Sequence, residues 1–429
     1  MKRQTSSAAL FLLATLTLIS WLGASFLAQR AGELSHGAVI RWEAGGGISP
    51  VQLLRAERYA REDGGAAVPT AALWREHREG YVEDGAGRRS TSAAVLELFG
   101  DGGEVWPAAF RYGNYPARGD ETGCAVDEAT ADALWGSARV VGQAVLWKGK
   151  TYYVRGVMKG SGGLLLVQGG EDAEPWPNLL LRFQDGDAGT QAEHFLSQNQ
   201  IPGGQMLDLS LLHQGLTALA ALPCAALTLG ILLRLFQRGR ALTAAPLLLV
   251  CYLPPALLGA GAVLWCAGAP WSVPERFIPT RWSDFEFWVR LFSGGMEKLR
   301  GYLTLAAVQR DLRYGALAAG CALLSLTALA LAVLAAERAG VRTERVLAVR
   351  ACAVWALTFG IALVFAPFGG VKVERPLWLL PAAWLLSDWC LERHRRFLDR
   401  RREEERGDEI AMEPSARAGG GGGRPSAGV

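Results

Sequence analysis

The chain has 429 residues, of which 50% are hydrophobic and 20% charged, with a formal net charge of +3. So balanced a charge excludes a nucleic-acid partner. The apolar residues gather in long charge-free runs, which excludes a disordered chain, a collagen-like chain and an ordinary cytosolic enzyme and leaves a membrane protein with a large water-facing part.

The first run, Ala8 to Ala28, is preceded by Lys2 and Arg3 and holds 21 residues, enough to cross a hydrocarbon core of about 30 Å. A signal peptide has an apolar core of only about 7–15 residues, so an uncleaved span (domain 1–28) is the preferred reading. Gly23-Ala24-Ser25 keeps cleavage as the alternative.

Residues 29–213 form a polar interval that reads as a mixed α/β domain. Ser49 to Arg61 has the pattern of an amphipathic helix, with Val51, Leu53, Leu54 and Tyr59 as candidate apolar positions. Gly123 to Val126 reads as a buried strand, Asp127 as a helix N-cap and Gly136 as the stop of that helix. Gln143–Trp147 and Thr151–Val157 read as a hairpin around Lys148-Gly149-Lys150. Leu179–Phe183 is expected as a strand, Gly189–Ser197 as a helix, and Gly204–Leu209 as a strand leading back to the membrane. Cys124, the one cysteine of this interval, is expected to be a small buried hydrophobe.

Five further spans are expected within 214–391: Gly215–Leu233, Ala241–Ala267 (interrupted by Pro246, Pro254 and Pro255), Ala316–Ala336, Ala351–Phe368 and the short Leu377–Leu391 with Asp388. Asp388 lies about one turn from the end of its run and can pair with Arg393 or Arg395. The positive-inside rule puts both termini in the cytoplasm and 29–213 outside. The loop 234–240 then carries three Arg and no acid, 337–350 carries four Arg, and the tail (392–429) has six between Arg393 and Arg402. The expected fold is therefore an α-helical plasma-membrane protein of about six spans, with an extracytoplasmic α/β domain inserted between the first and second. The chain has 44 Lys and Arg together, but only 6 are Lys, a bias that argues against weighting single arginines.

The outer loop 268–314 is rich in aromatics. On a helix, Phe285, Trp288 and Phe292 share one face, and with Trp282 they suit an interfacial segment in contact with membrane lipid. It is read either as a passive anchor or as an element that guards a lateral entrance or docks the outer domain. Signals for catalysis are absent: no Gly-x4-Gly-Lys-Ser/Thr, no Gly-x-Ser-x-Gly, and no His or Cys pair at metal-ligand spacing. No catalytic residue, cofactor or metal site is expected.

The run Gly123-Cys124-Ala125-Val126-Asp127-Glu128 through Leu134-Trp135-Gly136-Ser137, with Gly142-Gln143-Ala144-Val145 and the hairpin Trp147 to Val157, resembles the MacB-like periplasmic core domain. One span, a large outer domain and then more spans is similar to MacB/FtsX-type ABC transporter permeases, which typically have four spans where six are expected here. The resemblance implies a membrane subunit, working as a homodimer or with a related permease subunit, that couples a separate ABC ATPase to movement of the outer domain. It would make 234–240, from Arg234 on, the coupling segment, with Phe236 inserted into a groove on the ATPase and Arg238 and Arg240 at its rim; the plain alternative is an ordinary positive-inside loop. The alternative is a membrane-anchored extracytoplasmic binding or sensor protein with no ATPase partner.

Overall fold

The computed structural model describes residues 7–241, 285–365 and 381–390, apart from 44, 63–67, 161, 172–173, 185, 339–340 and 342, together with the isolated positions 257, 261, 378, 392–393, 396, 399–400 and 403. In chain order the described elements are α1 (Ser7–Glu33), β1 (Ala38–Arg41), α2 (Pro50–Glu62), β2 (Thr70–Asp84), β3 (Ser90–Phe99), α3 (Gly102–Val105), β4 (Phe110–Gly113), β5 (Gly123–Asp127), α4 (Glu128–Trp135) and β6 (Ala144–Trp147). They continue with β7 (Lys150–Met158), β8 (Leu164–Gln168), β9 (Asn178–Arg182), α5 (Ala188–Gln198), β10 (Gln205–Asp208), α6 (Leu209–Ala220), α7 (Leu222–Ala241), α8 (Phe285–Thr304), α9 (Gln309–Arg338) and α10 (Glu344–Phe365).

The chain divides into two units: Met1–Ala24 with Ala220–Ala269 and Leu323–Val429, and Ser25–Leu219 with Pro270–Ala322. The described part of the aromatic loop 268–314 thus groups with the inserted domain rather than with the helical unit.

In the helical unit, Leu18, Trp21 and Leu22 of α1 pack with Cys224 and Leu227 of α7, Ala328 and Ala332 of α9, Ile361 of α10 and Trp384 of helix 381–390. Among the described residues, three helices are long and apolar enough to cross a membrane, Ala8–Glu33, Gln309–Arg338 and Glu344–Val364, and a fourth results if α6 and α7 count as one bent span. The expected span Ala241–Ala267 falls almost wholly outside the described residues. Of Leu377–Leu391, residues 381–390 are helical. There the Asp388 carboxylate accepts the Val341 backbone N–H at 3.0 Å. Arg393 pairs with Glu344 at 3.2 Å, and Arg395 lies outside the described residues.

The inserted domain is built on a ten-stranded mixed sheet in the order β10-β1-β9-β2-β3-β8-β5-β7-β4, with β6 bridging β2 and β7. That bridge matters. The pairings β2-β3, β3-β8, β8-β5, β5-β7, β7-β6 and β6-β2 close a ring. Val82, Val95, Cys124, Val126, Val145, Val154 and Leu165 share one core there, with Ala131 and Leu134 of α4. Burial raises the Cys124 thiol to about 12, so it behaves as a buried hydrophobe. The open half, β10-β1-β9-β2, is covered on one face by α2 and α5, through Leu53, Ala56, Phe195 and Leu196. A layered α/β domain is therefore the right description for one half of the sheet, and a closed ring for the other.

The motif 123–157 forms as its residues dictate. Asp127 accepts the Thr130 N–H at 2.9 Å and caps α4, while its other oxygen takes the Gly163 N–H at 2.8 Å. Gly136 ends α4 at φ +68°, its N–H bonded to the Asp132 carbonyl at 2.7 Å. Lys148 (φ +50°) and Gly149 (φ +77°) make the two-residue turn of the β6–β7 hairpin. In α2 the buried positions are Pro50, Leu53, Ala56, Glu57 and Ala60, whereas Tyr59 is 67% exposed. The helix turns its alanines inward and leaves the aromatic ring in water.

Candidate functional site

The second face of the open half-sheet meets the chain's route to and from the apolar helices. Val39, Trp74, Leu98, Val105 and Leu180 form an apolar floor on which Leu209, the first residue of α6, and Tyr302, near the end of α8, are packed. On this floor sits a dense polar cluster contributed by 302–313, the segment joining α8 to α9.

Arg41, the last residue of β1, is 6% exposed. Its Nε donates to Asn178 Oδ1 at 3.1 Å and its Nη1 to Asp311 Oδ2 at 2.8 Å, and Nη2 donates to the Ala306 carbonyl. Its guanidinium also lies 5.1 Å from the Tyr302 ring centroid. The Tyr302 hydroxyl donates to the same Asp311 oxygen at 2.8 Å. Burial and the Asp311 charge push the Tyr302 phenol well above its ordinary pKa, so it stays a donor. Asp311 thus accepts from one cation and one neutral hydroxyl.

Next to it, Arg310 is 2% exposed. It spends its guanidinium on two backbone carbonyls, Nε to Val105 at 3.1 Å and Nη2 to Leu34 at 2.6 Å, and lies 5.8 Å from the Trp74 ring centroid. Leu34 follows directly on α1 and Val105 ends α3, so one side chain ties the start of α9 to both. Glu76 of β2 accepts the Gln309 N–H at 2.7 Å, and burial raises its carboxyl above the usual range against that hydrogen bond. Arg78 donates to the Ala307 carbonyl. Arg313 stacks over Trp106 at 5.1 Å.

The other two helices are joined to the domain as tightly. Asp208 caps α6 by accepting from Leu211 N–H at 3.1 Å and Ser210 Oγ at 2.6 Å. The Leu209 N–H donates to the carbonyl of Gly37 at 3.1 Å, between α1 and β1. Gly32 of α1 has the His213 ring of α6 against it, since a Cβ there would lie 2.8 Å from His213 Cε1. Gly320 of α9 similarly admits Leu27 of α1, whose Cδ1 would be 2.9 Å from an added Cβ. Glycines at these contacts let helix backbones approach closely.

The residues singled out from sequence lie elsewhere. Arg234, Phe236, Arg238 and Arg240 continue the backbone of α7 as helix, so the expected loop is a helical extension. Trp282 lies outside the described residues, and Phe285 opens α8. Trp288 and Phe292 are 40% and 75% exposed, in line with Val289, Met296 and Leu303, which are also exposed. The other end of α8 meets the domain: Lys298 pairs with Glu193 at 3.3 Å, and Gly301 leaves room for Gln205. The cluster of Arg41, Tyr302, Arg310 and Asp311 was not singled out from sequence. The signal for it was an arginine inside the apolar strand Ala38-Val39-Ile40-Arg41, and an Arg-Asp pair just before an apolar run.

A second feature is a polar crevice of about 410 Å³ at the rim of the ring, lined by His77, Glu79, Glu83, Trp147 and Lys148. His77 Nε2 lies 3.5 Å from Glu97 Oε2 and 3.4 Å from Lys148 Nζ, so it donates to the first or accepts from the second, not both. Burial alone would raise the Glu97 carboxyl, but hydrogen bonds from His77 and Arg75 bring it down to about 2. Among the described residues no group of three or more His, Cys, Asp or Glu could hold a metal ion.

No family model matches the chain, and no curated protein does. Among solved structures it is similar to the periplasmic region of MacB from Actinobacillus actinomycetemcomitans, with 10% identity and a TM-score of 0.35 over 43% of this chain and 94% of that one. It is similar to the extracellular domain of the noncanonic ABC-type transporter YknZ from Gram-positive bacteria, with 10% identity and a TM-score of 0.30 over 39% and 97%. A domain of a putative permease protein from Porphyromonas gingivalis gives 11% identity and a TM-score of 0.28 over 40% and 85%.

Proposed function

We propose that this chain is a permease-like membrane subunit of an ABC transporter, in which a separate ATPase moves the extracytoplasmic domain through the membrane helices. The observation that carries the proposal is the polar clamp at 302–313. Helices α1 and α9 each contribute residues to both units, and both end on the clamp, α9 through Arg310 and Asp311 and α1 through the Leu34 carbonyl. The MacB-like motif at 123–157 supports the same reading, because its strand, capped helix and hairpin all form. In this reading the helical extension 234–240 is the contact with the ATPase, and Phe236 its apolar anchor between arginines.

The test is purification of the full chain in mild detergent from its own cells, with identification of what comes with it. We expect an ABC ATPase in near-equal amount, and a loss of tenfold or more for Phe236→Ala combined with Arg238→Ala. Truncating a central apolar anchor costs about 2 kcal/mol or more at an interface, which is enough for that loss. Repeated purification without an ATPase would favour an anchored binding or sensor protein and would overturn the proposal.

A further inference from the structure

The polar crevice at the rim of the ring contains a donor with no acceptor. Trp147 is 4% exposed, yet among the described residues nothing accepts from its indole N–H. That nitrogen lies at the crevice wall formed by Gly80, where an added Cβ would be 3.2 Å from it. A buried N–H without a partner is costly, so the position implies an acceptor that enters from the crevice. Lys148 adds a second donor on the same side. Its Nζ lies 4.7 Å from the Trp147 ring centroid and 3.4 Å from His77 Nε2.

Acceptors line the same crevice. Glu79 and Glu83 of β2 make no ion pair or side-chain hydrogen bond among the described residues. Between them in the chain stands Tyr81, which also lines the crevice and is 65% exposed. The volume of about 410 Å³ is that of a small-molecule site. Simple ions do not fit this lining. A cation suits the two carboxylates but leaves the indole N–H unpaired and meets Lys148. An anion suits Trp147 and Lys148 but faces Glu79 and Glu83. A peptide held by its backbone needs a free strand edge, and at Val82 and Glu83 strand β2 is paired on both sides, by β3 and β6.

An occupant that suits every wall must donate and accept at once, carry no net charge, and offer a flat apolar face to a tyrosine ring. Hydroxyl groups meet the first demand, each with one donor and two acceptor lone pairs. We infer that the crevice binds a neutral mono- or disaccharide. Its hydroxyls lie between Trp147 Nε1 and Lys148 on one side and Glu79 and Glu83 on the other, and the C–H face of one ring lies against Tyr81. This site does not depend on an ATPase partner.

The test is saturation-transfer difference NMR of the full chain in a sugar-free detergent. The probes are cellobiose and N,N′-diacetylchitobiose, each at about 10 mM, enough to fill a site of millimolar Kd. We expect transfer to the ring protons of at least one disaccharide, and none to a triarginine peptide. Trp147→Phe, which keeps a ring but removes the N–H, should lower the affinity about tenfold. Tyr81→Ala should lower it about fivefold. Tyr81 is exposed, so this second variant decides the matter if Trp147→Phe fails to fold. Absence of transfer to both disaccharides, or unchanged transfer in Tyr81→Ala, would overturn the inference. So would binding of triarginine that is lost in Glu79→Gln with Glu83→Gln, which would give the crevice to a cationic peptide.

Discussion

Replacing Arg310 by alanine should unfasten the start of α9 from the inserted domain and cost about 3–5 kcal/mol. The side chain is 2% exposed and donates to the carbonyls of Val105 and Leu34. Its removal strands two acceptors beside the Trp74 ring, and each buried acceptor left alone costs about 1–3 kcal/mol. For a domain of this size that amounts to a fall in Tm of about 10 °C. Arg310→Lys should be intermediate, because an ammonium keeps the charge but lacks the planar fork that reaches two carbonyls at once. The check is hydrogen exchange in the full chain: amides of β1, β9 and 309–313 should lose protection together, while those of β5 and α4 in the ring stay protected. Unchanged exchange at 309–313 in Arg310→Ala would show that the side chain does not hold the segment.

The second large effect is expected at Gly37, the residue between α1 and β1. Its φ is +88°, and a Cβ added there would lie 2.2 Å from the Leu181 carbonyl oxygen, a distance no relaxed structure allows. Its own carbonyl accepts the Leu209 N–H, so any shift of this backbone also disturbs the start of α6. Gly37→Ala should cost more than about 3 kcal/mol, above the ordinary penalty for a left-handed alanine of about 1–2 kcal/mol. Gly119→Ala is the control. Its φ is +92° but nothing lies within 4 Å of the added Cβ, so only the conformational penalty applies. Thermal unfolding of the two variants should differ by several degrees, and equal values would mean that the α1–β1 junction relaxes freely.

The capped helix and the hairpin of 123–157 were legible because local chemistry decides them: an Asp cap, a left-handed Gly and a Lys-Gly turn act over a few residues. The long hairpin β2–β3 was not, although it organises the whole sheet. The middle of β2 reads Arg75-Glu76-His77-Arg78-Glu79, which suggests a polar connection. In the structure those charges are used by partners far along the chain: Glu76 by Gln309, Arg75 by Glu97, and Arg78 by Ala307. A bulge between His77 and Gly80 then redirects the strand into the ring, and Gly80 is needed there because a Cβ would meet Val95 Cγ2 at 2.4 Å. Neither fact has a local signature.

The clamp was hidden for a related reason. An arginine-rich composition argues against weighting any one arginine, and that discount is sound for Arg58 or Arg88 on the surface. It fails for Arg41 and Arg310, where burial gives the guanidinium a specific task. The sequence signal that outweighs composition is position: a cation in a strand that is otherwise apolar. The aromatic stripe of α8 was legible as a face, and Trp288 and Phe292 do share exposure with Val289 and Met296. That the far end of the same helix carries Tyr302 into the domain floor depends on long-range packing.

The most direct test of the joint is a double-mutant cycle on Arg41 and Asp311, read by hydrogen exchange of 302–313 and of β1 in the full chain. The two side chains are 270 residues apart in sequence and 2.8 Å apart in space. Arg41→Ala and Asp311→Ala should each strip protection from both segments. Their coupling energy should be at least about 1.5 kcal/mol, as for a buried charged pair in one network. Additive effects within about 0.5 kcal/mol, or loss of protection in one segment without the other, would mean that the inserted domain and the start of α9 are not fastened here, and the proposed route of movement would fail.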